Sequence, residues 1–266
     1  MPAPHNAFKA ALARGGTVFG CWLGFAHPYP AEVAGHAGFD WLLIDGEHAP
    51  NDLPSITAQL QVLEPLPAHP VVRLPMGEDW AIKQVLDAGA QTLLIPLVET
   101  AQAARDLVRA TRYPPEGIRG MGAALARASR FGAIADYATT ANAEICLLVQ
   151  VETRAGLAAL DEILGVAGVD GVFIGPADLS ADMGYPGRAD APEVQAAIED
   201  ALRRIRAAGK APGILSDDEA AVERYLACGA QFVAVGVDVA ILGSALRERA
   251  TRWRVRDRDG GGDLDA

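Results

Sequence analysis

The stretch "AGFDWLLID" (residues 37–45) follows a segment of helical composition, passes through a glycine and then runs through apolar residues to an acid. A glycine there suits a left-handed helix C-cap, and an unbroken apolar run suits a strand covered on both faces. The pattern returns as "AGAQTLLIP" (88–96), "AGVDGVFIG" (167–175) and "CGAQFVAVG" (228–236). Helix, glycine, buried strand, repeated, is the signature of βα units in a parallel sheet. Four further runs complete the set: "TVFGCWLGF" (17–25), "PVVRLP" (70–75), "EICLLVQVE" (144–152) and "PGILS" (212–216). Segments of helical composition fill 30–36, 51–63, 77–87, 99–111, 153–164, 192–208, 217–227 and 238–253. Eight such units in 266 residues predict an α/β fold, a (β/α)8 TIM barrel rather than an open doubly wound sheet. No composition shift divides the chain, so 1–256 reads as a single barrel domain and "DRDGGGDLDA" (257–266) as a flexible acidic tail. The segment 114–142 interrupts the repeat before the fifth strand, and ordered insertions of this length are often functional.

Bulk properties narrow the classes. A net charge of −11 repels phosphate backbones and argues against a nucleic-acid partner. No run approaches the roughly 18 apolar residues of a membrane helix, and "MPAPHNAFKAALARGG" reads as an amphipathic helix of the mature protein rather than a secretion signal. Cys21, Cys146 and Cys228 are odd in number and widely spaced. That speaks against a disulfide framework or a zinc knuckle, and Cys146 reads as core. The expectation is a cytoplasmic protein with no membrane contact.

Chemistry in such barrels sits at the C-terminal ends of the strands. Those ends carry Asp45, Glu47 and His48 after strand two, and Arg73 on strand three. Gln150 and Glu152 follow on strand five, Ala177 and Asp178 after strand six, then Ser216 and Asp238. Glu152 and Asp178 are hard oxygen donors, suited to Mg²⁺ or a similar divalent ion with positions left open for a 2-oxo acid. Arg73 is a fixed cation for a developing oxyanion, and His48 a proton carrier near neutral pH. Backbone amides after Gly175-Pro176 suit a substrate carboxylate. Each residue also has a plainer role: Glu152 as a charge in a first helical turn, Asp178 as an N-cap, Arg73 paired with a structural acid, His48 as a loop histidine. Only their joint occurrence at successive strand ends points to a site. The three lysines, Lys9, Lys83 and Lys210, are not placed at the mouth, which argues against Schiff-base chemistry and for a metal if the protein is an aldolase.

The segments "FDWLLIDGEHAPND", "VVRLP", "TLLIPLVETAQAARDLVRATRYPPEGIRG", "LLVQVET" and "GVFIGPADLSADMGYPG" occur in this order along the chain. With them the chain resembles the 4-hydroxy-2-oxoheptane-1,7-dioate aldolase family, class II metal-dependent pyruvate aldolases, over nearly its whole length. The resemblance implies a divalent metal ion (Mg, Mn or Co) on Glu152 and Asp178, and a 2-oxo acid contacting Gln150, the Ala177 amide and Asp178. It implies Arg73 as oxyanion stabiliser and His48 as the base for the C4 hydroxyl. Asp87 would raise the basicity of His48 from a neighbouring subunit, while Asp45 is the nearer carboxylate in sequence. The 114–142 loop would help build the pocket. The resemblance also implies a last helix exchanged between barrels, in a homo-oligomer built as a hexamer, a trimer of dimers. Without it, the apolar stripe Val239, Leu242, Leu246 and Trp253 reads as ordinary packing on the barrel. The alternatives are a sugar-acid (2-keto-3-deoxy acid) or hydroxypyruvate aldolase, a citrate-lyase-like enzyme acting on acyl-CoA, and a non-catalytic barrel that binds 2-oxo acids.

Overall fold

The structure, a computed structural model, describes residues 1–259. Eight strands form a closed barrel in sequence order. They are β1 (Val18–Leu23), β2 (Trp41–Asp45), β3 (His69–Arg73) and β4 (Thr92–Ile95), then β5 (Cys146–Val151), β6 (Gly171–Ile174), β7 (Ala211–Leu215) and β8 (Phe232–Val237). Every neighbouring pair is parallel, including β1 with β8.

The helices α1 (Ala7–Ala13), α2 (Pro28–Gly35), α3 (Leu53–Leu63), α4 (Asp79–Ala88) and α5 (Ala101–Thr111) precede the insertion. The insertion is ordered: it holds two single-turn 3-10 helices, 123–125 and 127–129, and α6 (Tyr137–Glu144). The helix expected over 153–164 is two short ones, α7 (Arg154–Ala158) and α8 (Leu160–Leu164), broken at Ala159. Next comes α9 (Pro176–Asp182), seven residues long and too short for sequence periodicity to reveal. α10 (Pro192–Ala207) and α11 (Glu219–Ala227) follow. α12 (Asp238–Asp259) continues three residues into the stretch assigned to the tail, and 260–266 lie outside the described residues.

Strand alternation divides the core. Leu42, Ile44, Val72, Val149 and Ile174 pack outward against the helices. Trp41, Leu43, Val71, Leu148 and Phe173 fill the barrel interior. An aromatic column runs along that interior. Phe8 of α1 plugs the N-terminal end beside Trp41, Phe232 and His69, and Trp22 meets Trp41 and Phe173 higher up. A side chain at Gly20 would overlap the Trp41 ring, and one at Gly213 the Phe232 ring, so two glycines make room for the column. The same inward parity carries Asp45, Arg73 and Gln150 to the C-terminal rim. Among the described residues no helix is long and apolar enough to cross a membrane.

Candidate active site

The rim is built on an ion pair. Asp45 and Arg73 are register partners on β2 and β3. Arg73 donates through Nε to Asp45 Oδ1 at 2.8 Å and through Nη2 to Oδ2 at 2.7 Å, with both side chains buried. Burial alone would raise the Asp45 carboxyl, but the Arg73 hydrogen bonds and charge, with the amides of Glu47 and His48, hold it below its usual value. The guanidinium lies over the Trp22 ring, 5.1 Å from its centroid, so the aromatic column is the floor of the site. Its third nitrogen, Nη1, is 2.8 Å from Glu47 Oε2.

Glu152 lies one residue before the N-cap of α7, whose cap is the Thr153 hydroxyl. It is therefore not a first-turn charge: it is buried, and its carboxylate accepts from the Leu97 amide at 2.9 Å and from Gln150 Nε2. Leu97 holds a left-handed φ of 55° to aim that amide, a strained conformation of the kind stored at functional sites. Burial, the largest influence, raises the Glu152 pKa. The Gln150 and Leu97 hydrogen bonds oppose it, and the charges of Asp178 and Glu47 raise it further. Nor is Asp178 a cap. Gly175 occupies that position, and Asp178 is in the first turn of α9, exposed and, among the described residues, without a hydrogen-bond or ion-pair partner. The Ala177 and Asp178 amides lie in the first helical turn, where no intrahelical acceptor exists.

These residues fit a hard divalent cation. Beyond burial, the charge of Asp178 raises the proton affinity of both Glu47 and Glu152, and Gln150 Oε1 is buried without a partner. A cation would relieve that repulsion, and an all-oxygen donor set suits Mg²⁺ or Mn²⁺. Among the described residues no group of three or more His, Cys, Asp and Glu side chains is placed to hold a metal ion.

The remaining expectations are met unevenly. The His48 ring is exposed, and its nearest carboxylate is Glu47, with Oε1 3.9 Å from Nε2. Asp45 does not reach that ring: it accepts from the His48 backbone amide at 3.4 Å, because Arg73 engages both its oxygens. Asp87 ends α4 away from the rim and accepts from the fully buried Arg119 at 2.6 Å; within one chain it is not brought to His48. Asp238 Oδ1 accepts from the Gly24 and Val239 amides, tying β1 to α12, and Ser216 Oγ accepts from the Asp218 amide. Sequence reasoning missed Trp22 as floor, the Leu97 amide and the role of Glu47. The inward parity of Trp22 at the end of β1 was the available signal for the first; the Leu97 amide left none.

A family model described as HpcH/HpaI aldolase/citrate lyase matches residues 18–245. The chain belongs to this family. It is 66% identical over 257 residues to the hydroxypyruvate/pyruvate aldolase of Roseovarius nubinhibens, covering 97% of this chain and 100% of that one. It is 58% identical over 249 residues to the 4-hydroxy-2-oxo-heptane-1,7-dioate aldolase of Klebsiella pneumoniae, covering 94% of each. The HpcH/HpaI family crystal structure from Burkholderia cenocepacia J2315 superposes with a TM-score of 0.90 at 40% identity, covering 94% of this chain and 99% of that one. Both curated relatives are aldolases, so this HpcH/HpaI member is a carbon–carbon lyase of the aldolase type.

Proposed function

We propose that the protein is a divalent-cation-dependent class II aldolase that cleaves 4-hydroxy-2-oxo acids to pyruvate and an aldehyde, and that takes hydroxypyruvate as a second donor in the reverse direction. The observation that carries the reading is the convergence of Glu152, Asp178 and the Asp45-clamped Arg73 on one rim. The hydroxypyruvate donor follows the name of the 66% identical relative.

Glu152 and Asp178 would hold the cation, which when bound supplies a Lewis acid for the carbonyl and carboxylate oxygens of a 2-oxo acid. Gln150 and the Ala177 amide orient that acid. His48 takes the proton from the C4 hydroxyl as the C3–C4 bond breaks, and the aldehyde departs. The electron pair passes to the C2 oxygen, where Arg73 carries the enolate charge, and a proton delivered to C3 gives pyruvate. Asp45 fixes Arg73 through two hydrogen bonds, so the guanidinium needs no reorganisation as charge develops.

The assembly belongs to the same proposal. Val239, Leu242 and Leu246 of α12 are exposed in the single chain rather than packed on the barrel. A second copy would cover that face in a hexamer, and a neighbouring subunit would bring Asp87 to His48. Sedimentation as a monomer would contradict this part. Three free, buried cysteines support a cytoplasmic setting. The donor test is aldol addition of hydroxypyruvate or pyruvate to one aldehyde, read by NMR of the products. Products from both donors support the reading, and turnover of neither overturns it.

A further inference from the structure

Asp45 and Glu47 hold the same guanidinium in different ways. Asp45 binds Nε and Nη2 with two directed hydrogen bonds. Glu47 Oε2 lies 2.8 Å from Nη1, yet it is buried and forms no hydrogen bond. That contact is ionic and undirected, so it is the exchangeable one. The other oxygen of the same carboxylate, Oε1, is 3.9 Å from His48 Nε2, roughly 1 Å longer than a hydrogen bond. The main chain between the two groups is fixed, because Asp45 Oδ1 accepts from the Glu47 amide at 2.9 Å. Pairing with His48 therefore takes a side-chain turn, by Glu47 or by the exposed His48 ring.

We propose that Glu47 is a positioning residue that exchanges counter-ions during turnover, neutralising Arg73 in the empty site and pairing with His48 once a substrate oxyanion occupies Arg73. This inference rests on the aldolase reading above. Cleavage separates charge in a defined way: His48 gains the hydroxyl proton and becomes a cation, while the electron pair of the broken bond places negative charge beside Arg73. A Glu47 carboxylate that stayed on Arg73 would compete with that oxyanion. Moved to His48, it pairs with the new imidazolium, and Arg73 pairs with the enolate. No charge enters or leaves the site. The groups facing Glu47 favour the move: Asp45 from β2 and Asp178 from α9 repel it, and Arg73 from β3 and His48 from its own loop attract it. Glu152, beyond β5, shares the repulsion.

The test uses the full-length protein loaded with Mg²⁺ or Mn²⁺. In Glu47→Gln, retro-aldol kcat should fall roughly 10- to 100-fold, the range seen when an orienting partner is lost, with KM nearly unchanged. Cation affinity by calorimetry, measured without substrate, should stay within about threefold of wild type, well inside the loss that removal of a ligand's partner causes. Glu47→Ala should recover kcat when formate is added, because a free carboxylate can make the same exchange. Unchanged kcat in Glu47→Gln, or no response of Glu47→Ala to formate, would overturn the proposal. So would collapse of cation affinity, which would make Glu47 a metal ligand. Failure of the wild-type protein to release pyruvate with any divalent metal would instead overturn the aldolase reading beneath it.

Discussion

Gly175 is a glycine because of space, not backbone freedom: its φ is −91°. A Cβ there would lie 2.5 Å from Glu152 Oε2 and 3.2 Å from Gln150 Nε2. Gly175→Ala should therefore fold normally but displace the Glu152 carboxylate. The expected loss in divalent-cation affinity is about 10-fold or more, read by calorimetry; unaltered affinity would contradict this packing account. Glu152 itself costs the cation-free protein stability. Its folded-state pKa is raised, chiefly by burial, so the unfolded chain gives up its proton first. Stability therefore falls as pH rises from the ordinary carboxylate value through the raised one. Glu152→Gln removes that penalty, and Gln150 Oε1, now unpartnered, can accept the new amide. The chelated variant should melt above chelated wild type at neutral pH while no longer being stabilised by added cation. At this scale position at the strand ends made Asp45, Arg73, Gln150 and Glu152 legible in the sequence. Gly175 and Leu97 were not, because a close approach and an aimed amide appear only once loops from different strands meet.

Elements were legible where they were long. Eight buried strands stand within a few residues of their expected places, since glycine caps and apolar runs are local signals. The insertion was not legible, because its order comes from tertiary contacts. Tyr113 and Tyr137 meet edge to face, and Arg119 lies 4.3 Å over Tyr113 while its Nη2 donates to Asp87 Oδ1 on α4. Arg119 is entirely buried, and its Nε and Nη1 have no partner. Asp87→Asn should thus lower stability by about 2 kcal/mol, below the full cost of orphaning a buried charge because an amide oxygen can still accept. Urea denaturation measures it. A stability unchanged within error would mean that the pair does not anchor the insertion, and any catalytic defect of the variant must be judged after this loss.

Across the whole molecule, the two ends of the barrel carry different tasks. The C-terminal rim gathers charge for chemistry, whereas the N-terminal end is closed by Phe8 stacked on His69, whose Nε2 is 2.8 Å from Thr92 Oγ1. Burial pushes the His69 pKa down to about 4 from 6.5. The unfolded chain therefore binds a proton between those values and the folded chain does not, so stability is full above pH 6.5 and lost as pH falls towards 4. The loss is at most about 3.4 kcal/mol. His69→Gln should shrink the stability difference between neutral and mildly acidic solution; an unaltered difference would place acid lability elsewhere. The fold alone does not fix the reaction; in the proposed function the rim does, through Glu152, Asp178 and the clamped Arg73. The most direct measurement is pyruvate release from a 4-hydroxy-2-oxo acid, coupled to lactate dehydrogenase, after chelation and again with Mg²⁺, Mn²⁺ or Co²⁺ restored. The expected result is release that vanishes on chelation, returns with metal, and does not return in Glu152→Ala. Release that survives complete removal of metal would contradict the assignment of Glu152 and Asp178.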